Sequence, residues 1–189
     1  MADLETYDGA SHFATDANYE VQRANHFEIQ INLGGLTPPL SDEYNKAIRL
    51  CCTSAPVPSF DIGTHDLRHG NEVIKVAGAA NYGDMQISVY DVIGRDMASL
   101  VQEWGWRVFN PVTHTMGLVS SYKTTATLFC YSPDASSYRK WVCYGVFPKQ
   151  ISFGNFSADG GGQPISISMT LSVDKTEFVP YKGAVRMGG

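Results

Sequence analysis

Two histidines and a glycine run are the residues whose spacing comes closest to supporting chemistry. His65 and His69 are four positions apart, the spacing at which a helix presents two zinc ligands on one face. Gly63 and Gly70 disfavour a helix there, and no third ligand follows at a suitable spacing. Gly161-Gly162-Gln163 matches the tripeptide that peptide release factors use for catalysis, but a glycine run between two predicted strands is more simply a turn. The sequence therefore predicts neither a zinc site nor catalysis at these positions.

The remaining reactive side chains form no recognisable catalytic pattern. The sequence contains no nucleophile–base pair and no G-x-S-x-G elbow. The cysteines do not form a C-x-x-C motif, and without a secretory signal they are expected to be reduced thiols. Two of them flank a predicted turn, so a bridge across that hairpin stays open as an alternative to buried, unpaired thiols. We expect no enzymatic activity, no catalytic residues, no cofactor and no metal. The cysteines are Cys51, Cys52, Cys130 and Cys143.

The clearest structural signal is a strand with one apolar and one polar face. From Ile165 to Val173, apolar residues alternate strictly with serine or threonine, which is the period of a β-strand. The polar face carries no charge, unlike a strand that simply faces bulk water. The apolar face consists of Ile165, Ile167, Met169, Leu171 and Val173, and the polar face of Ser166, Ser168, Thr170 and Ser172.

Further strands and one helix are predicted along the rest of the chain. Apolar residues at helical spacing predict an amphipathic helix from Met97 to Val108, with Asp91 or Asp96 able to cap its start. Residues 59–70 are predicted as a loop or an irregular hairpin, and residues 110–121 as a loop. No βαβ alternation is present, so the predicted fold is mainly β, a sandwich or barrel with a helix packed on it. The predicted strands are 26–33, 47–53, 72–76, 85–90, 123–131, 138–146, 149–153 and 165–173.

Length and charge predict one domain with an acidic arm. The 189 residues divide into a flexible N-terminal arm (1–24), a β domain (25–180) and a C-terminal tail (181–189). The first 43 residues hold eight of the 19 acidic residues and one of the 14 basic ones, so the remaining 146 carry a net charge of 13 − 11 = +2. Such a body has no basic stripe for tight nucleic-acid binding. The acidic start and the absence of a long apolar run predict neither a signal peptide nor a membrane span.

A series of motifs spread over residues 25–179 resembles the tail tube proteins of contractile-tailed bacteriophages. Each motif is loose by itself, and their order and spacing carry the resemblance. They are Asn25-His26-Phe27, Cys52 to Pro58, Lys75 to Gly78, Tyr82-Gly83-Asp84, the helix ending near Trp104, Tyr122-Lys123, Gly145 to Pro148, and the final alternating strand.

This resemblance implies a fold, an assembly and partners. The fold would be a β-sandwich of roughly orthogonal sheets with one flanking α-helix. Six subunits would form a ring with a continuous inner β-barrel, and rings would stack into the tube through which double-stranded DNA leaves the capsid. The implied partners are other copies of the chain and the tail sheath, tape measure, baseplate and tail terminator proteins. The implied location is the virion tail, assembled in the host bacterial cytoplasm, with no membrane insertion.

The residues agree with this resemblance and leave two alternatives open. A strand face of serine and threonine suits a wetted lumen, and a near-neutral body would not retain phosphate. We expect the arm at residues 1–24 and the loop at residues 53–70 to lie at contacts between rings or with the sheath. The first alternative is a baseplate tube-extending protein or a type VI secretion-type tube protein. The second is a monomeric β-barrel that binds a small ligand.

Overall fold

A computed structural model describes residues 21–133, 135, 138–157 and 162–180, except for the side chain of Asp42. Most of the predicted N-terminal arm and the whole predicted C-terminal tail lie outside these residues. The strands are β1 Phe27–Ile31, β2 Cys52–Ser54, β3 Phe60–His69, β4 Glu72–Tyr82, β5 Met85–Tyr90, β6 Phe109–Asn110, β7 Thr115–Met116, β8 Thr124–Tyr131, β9 Tyr138–Ser152, β10 Ser166–Ser172 and β11 Lys175–Val179. The helices are α1 Asp42–Cys51, α2 Met97–Val108 and α3 Val119–Tyr122, with a 3-10 turn at Leu33–Gly35. The prediction of a mainly β fold is confirmed.

Seven strands form two antiparallel sheets joined by the long strand β9. The first half of β9 pairs with β8 on one side and β11 on the other, which with β1 makes the order β1-β8-β9-β11. The second half pairs with β10, giving the order β9-β10-β5-β2. A strand that passes from one sheet into the other in this way forms a corner of a β-sandwich. We call the second of these the β10 sheet.

One continuous apolar core lies between the sheets and the two longer helices. Ile167 and Met169 of β10 are buried, as are the residues opposite them on β5, Val89 and Ile87. Burying a side chain of this size contributes about 1.5–3 kcal/mol. The apolar face predicted for the final strand is therefore a core face.

Helix α2 has the bounds that its apolar spacing predicted. Asp96 is its N-cap, and the Asp96 side chain accepts a hydrogen bond from the Ser99 backbone N–H at 3.1 Å. Trp104 is buried, and its indole Nε1 donates to the Tyr122 carbonyl oxygen at 2.9 Å. The helix is thus fixed to the body by its apolar stripe and by one buried polar group that has a partner. No helix in the described part of the chain, α2 included, is both long and apolar enough to cross a bilayer.

The prediction of a strand at residues 47–53 is wrong. Most of this segment belongs to α1, and only β2 at its end is extended. Ser41 caps α1 by accepting a hydrogen bond from the Glu43 N–H at 3.3 Å. Ala47 and Ile48 are buried, whereas Leu50 is 79% exposed on the opposite side of the helix. Because Leu50 is apolar although it is exposed, the apolar residues of α1 do not show a clear helical period. The same residues therefore fit the pattern of a strand in the sequence.

Four other segments differ from the predictions. The segment predicted at residues 59–70 as a loop or irregular hairpin is strand β3, which forms a hairpin with β4, and β4 continues past Gly78 to Tyr82. Strand β9 runs without a break through Pro148, so residues 149–153 are not a separate strand. Residues 110–121 contain the short β6–β7 pair and α3 rather than only a loop. Strand β11 was not predicted at all.

Gly145 is the position where a side chain would most disturb this frame. Its φ is 67°, and a Cβ there would collide with the carboxylate of Asp174, which pairs with Lys123 Nζ at 2.5 Å. Gly70, at φ 62°, has no atom within 4 Å of the same position and is the matched control. We expect Gly70→Ala to lower the free energy of unfolding by about 1 kcal/mol and Gly145→Ala by about 2–4 kcal/mol, measured by urea denaturation. Equal losses would contradict a steric requirement at Gly145.

Candidate functional site: an uncharged sheet face and an exposed hairpin

The structure places the predicted histidine pair on a strand. His65 and His69 both lie on β3, opposite Val76 and Glu72 of β4. Within the described ranges, no three His, Cys, Asp or Glu side chains lie together as a metal site would require. Of the glycine run, Gly161 lies outside the described residues. The absence of metal and of catalysis stays a prediction.

The cysteines are all free thiols. Cys130 lies opposite Phe27 and Arg139, and Cys143 lies opposite Ala126, so the two are not cross-strand partners. Burial raises the pKa of Cys52 to about 11 and also raises the pKa of Cys143. Both groups therefore remain protonated at neutral pH, and neither has the thiolate character that nucleophilic chemistry needs.

The outer face of the β10 sheet is built from hydroxyl and amide side chains. Ser168 lies opposite Ser88 of β5 and Ser152 of β9, and Ser54 of β2 lies opposite Ser88. One row of four serines thus crosses four strands. The next row is Gln86, Thr170 and Gln150. We call this surface the hydroxyl face; it consists of Ser54, Gln86, Ser88, Tyr90, Gln150, Ser152, Ser166, Ser168, Thr170 and Ser172.

None of these ten residues is charged, and Lys149, which precedes Gln150 in β9, is paired with an acidic residue. Lys149 Nζ lies 2.8 Å from Asp84 Oδ2. An exposed pair of this kind contributes at most about 1 kcal/mol to stability, but it cancels the charge of both groups. The hydroxyl face therefore offers hydrogen bonds to water and carries no charge of its own.

Both sides of the β10 sheet end in open strand edges. Strand β2 pairs with β5 and, among the described strands, with no other. On the opposite side, the pairing of β9 with β8 stops at Val146, so the residues from Phe147 to Ser152 have β10 as their one described strand partner. Exposed edges are templates for pairing with another chain. The sheet that carries the hydroxyl face is therefore open to extension on both sides.

The hairpin formed by β3 and β4 projects from the body without another strand beside it in the described structure. On one face, Leu67 lies opposite Ile74, and the two side chains are 54% and 51% exposed. The other face of the same stretch carries the pair Asp66 and Lys75. Val73, opposite Arg68 on this second face, is also 53% exposed, so the hairpin holds apolar side chains out in solvent on both faces, which marks an interaction surface. We call the segment from Phe60 to Tyr82 the hairpin.

The sequence contained a signal for the hairpin that alternation alone does not reveal. Gly70 and Asn71 form a two-residue turn, and a Gly-Asn pair between two extended segments is a hairpin signal. The open edges, in contrast, depend on which strands become neighbours, and no local motif specifies that.

A groove along α2 bears on the ligand-binding alternative. It has a volume of about 420 Å³ and is lined by residues that include Ala98, Gln102, Trp106 and Phe153. The Trp106 side chain is 47% exposed, so the groove is open to solvent rather than enclosed. A small-molecule site would instead bury most of its ligand.

The fold, but not the sequence, has recognisable relatives. The sequence matches no protein-family model and no curated protein. A chain in the cryo-EM structure of the anti-feeding prophage cap, which terminates the tube, aligns with a TM-score of 0.62 at 14% identity, over 84% of this chain and 91% of that one. A chain in the sheath–tube complex of the extracellular contractile injection system PVC, in its extended state, aligns with a TM-score of 0.60 at 13% identity, over 89% and 96%. A chain in the anti-feeding prophage baseplate aligns with a TM-score of 0.59 at 11% identity, over 84% and 95%.

Identities of this size establish a shared architecture only. The alignments cover nearly the whole length of each related chain, so the similarity includes both sheets rather than one motif. The chain shares its fold with chains found in the tube-terminating cap and in the sheath–tube complex of contractile injection systems.

Proposed function

We propose that this chain is a structural, non-enzymatic subunit of the inner tube of a contractile tail. Six copies form a ring, the rings stack into a tube, and residues 25–180 are the ring-forming domain. The hydroxyl face of each subunit lines the lumen. The hydroxyl face carries this proposal, since it joins an uncharged polar surface to a sheet with two open edges.

Ring closure would satisfy the open edges of the β10 sheet. Each subunit presents β2 on one side and the Phe147–Ser152 half of β9 on the other. Pairing these two edges between neighbours would continue the sheet around the ring and leave no edge exposed. The hydroxyl face would then continue from subunit to subunit.

The cargo proposed for the lumen is double-stranded DNA. A basic wall would bind DNA through release of counterions and would hold it in place. A row of serines such as Ser88, Ser152 and Ser168 hydrates the wall without attracting phosphate. The partners proposed with this role are the sheath, tape measure, baseplate and terminator proteins of a phage tail assembled in a bacterial cytoplasm.

A baseplate-proximal tube component is the second candidate. The same fold occurs in a chain of a baseplate structure, and its TM-score of 0.59 is nearly that of the sheath–tube match, 0.60. A subunit of the main tube stacks on copies of itself, whereas a baseplate component meets unlike partners above and below.

Negative-stain electron microscopy with sedimentation velocity tests the proposal. We expect the purified full chain to form rings with an open centre and, as concentration rises, tubes of constant diameter. Rings that never stack would favour the baseplate candidate. Protein that stays monomeric at all concentrations would overturn the ring proposal and revive the ligand-binding alternative.

A further inference from the structure

The groove along α2 borders the open edge of β9. Helix α2 covers the core side of this strand so closely that a Cβ added at Gly105 would lie 2.7 Å from Ile151 Cδ1. Two aromatic side chains of the groove come from the two elements: Trp106 from α2 and Phe153 from the residue after β9, 47% and 38% exposed. Exposed rings beside an open strand edge form a surface that one subunit leaves incomplete.

An apolar side chain stands beside the other open edge of the same sheet. Helix α1 ends at Cys51 and leads directly into β2, while Ala47 and Ile48 fix the helix to the core. Leu50, two residues before β2, is 79% exposed. Lys46 is also exposed, and it lies four residues earlier, so the two side chains are neighbours on the helix surface. Helix α1 therefore presents an apolar and a basic side chain together at the β2 edge.

The strand directions decide which ends of the two edges would meet in the proposed ring. Neighbours in the order β9-β10-β5-β2 are all antiparallel, so β2 runs opposite to β9. Rotation about the ring axis keeps these directions, so β2 would pair antiparallel with β9 of the next subunit, its beginning beside the end of β9. Both helices contribute to the core on the same side of the sheet. The end of α1 would therefore lie beside α2 of the next subunit.

We propose that Leu50 inserts between Trp106 and Phe153 of the neighbouring subunit in the ring. On the rim of the same groove, Lys46 pairs with the neighbour's Glu103. This contact rests on the proposed ring and lies outside its strand pairing. Glu103 lines the groove, is exposed, and precedes Trp106 by three residues, so an acidic and an apolar side chain are neighbours on α2. The two surfaces therefore match in charge as well as in apolar character.

The helix contact would give the ring its selectivity. An open strand edge presents backbone groups alone, so it can accept a strand from another protein as readily as one from a copy of this chain. Insertion of Leu50 and the charge pair require a partner that carries both halves of the contact, which favours a copy of this chain over other strands. The same contact accounts for an exposed leucine on α1 and for an open groove on α2.

Leu50→Glu tests the apolar part of the contact. We expect it to raise the protein concentration at which half of the subunits are in rings by about tenfold or more, because a carboxylate would enter an apolar groove. Leu118→Glu is the matched control: Leu118 is 77% exposed and precedes α3, which contacts α2 at Trp104, away from the groove. This control should assemble at the wild-type concentration. Sedimentation velocity measures assembly, and circular dichroism measures folding.

A charge exchange tests the pair between Lys46 and Glu103. Lys46→Glu and Glu103→Lys should each raise the half-assembly concentration, since each places like charges across the contact. The variant that carries both substitutions should return towards the wild-type value. Glu103 also pairs with Arg107 at 3.0 Å within its own subunit, and Glu103→Lys loses this pair. The double variant keeps that internal loss, so its recovery would report the restored pair between subunits.

The outcomes distinguish this inference from the proposed function. If the wild-type protein forms rings and Leu50→Glu assembles equally well, or if Leu118→Glu is weakened as much as Leu50→Glu, the inference is wrong and the proposed ring stands. A charge-exchanged double variant that assembles no better than the weaker single variant would also overturn the inference alone. Wild-type protein that forms no rings would overturn the proposed function and this inference together.

Discussion

Ile167→Asp is expected to abolish folding, whereas Ser168→Asp is expected to leave the subunit folded. Ile167 is 1% exposed in the centre of the core, and Ser168 lies on the opposite face of the same strand. An unpaired carboxylate in the core costs several kcal/mol, a large part of the roughly 5–15 kcal/mol that stabilises a domain. At Ser168 the carboxylate stays hydrated. Soluble expression and thermal unfolding by circular dichroism measure the difference.

The two substitutions are adjacent and introduce the same group, so each is the control for the other. In the assembled ring, carboxylates at Ser168 would crowd around the lumen, and we expect Ser168→Asp to weaken tube formation without unfolding the subunit. Cooperative unfolding of soluble Ile167→Asp protein together with insoluble Ser168→Asp protein would mean that the two faces have been assigned in reverse.

Ser168→Lys is expected to turn an inert tube into one that retains DNA. Each ring would gain one lysine per subunit on the hydroxyl face, and successive rings would repeat it. A site that makes six to ten phosphate contacts loses about 10³–10⁵ in affinity between 50 and 200 mM salt. We therefore expect a labelled short duplex to bind Ser168→Lys tubes strongly at low salt and weakly at high salt, and wild-type tubes at neither. Fluorescence anisotropy of the labelled duplex measures its binding to each kind of tube at both salt concentrations.

Gln102→Lys is the matched control for this experiment. Gln102 lies on α2, which packs against Ile151 of β9 through Gly105, and it is not part of the hydroxyl face. The Gln102→Lys variant adds the same charge per ring, but outside the lumen. Equal retention of the duplex by the two lysine variants would show that the lysine at Ser168 does not face a lumen that DNA enters.

Segments with one continuous periodicity were predictable from the sequence. The spacing of Met97, Leu100, Val101 and Trp104 predicted α2 with the observed bounds, and the alternation around Ile167 predicted β10 with its correct core face. In both elements a single face is buried, so the sequence period and the packing direction agree. Of the hydroxyl face, only the residues contributed by β10 were predictable.

Segments whose exposed side is apolar were not predictable in this way. Leu50 on the exposed side of α1 obscures the helical period, and the hairpin has apolar residues on both faces, such as Leu67 and Val73. These side chains are not explained by packing within one subunit. The rows that complete the hydroxyl face come from β2, β5 and β9, which are distant in sequence, so only the strand order brings them together.

The strand shared by the two sheets has a consequence for how the subunit opens. Strand β9 is hydrogen-bonded to β8, β10 and β11, so its backbone amides cannot all be exposed without breaking both sheets. Local opening that releases only part of a protein needs a segment with few such links, and the hairpin is that segment. Amide hydrogen exchange should therefore be slowest along the middle of β9 and fastest in the hairpin of the free subunit. A subunit built in this way can open at the hairpin while the two sheets that share β9 open only together.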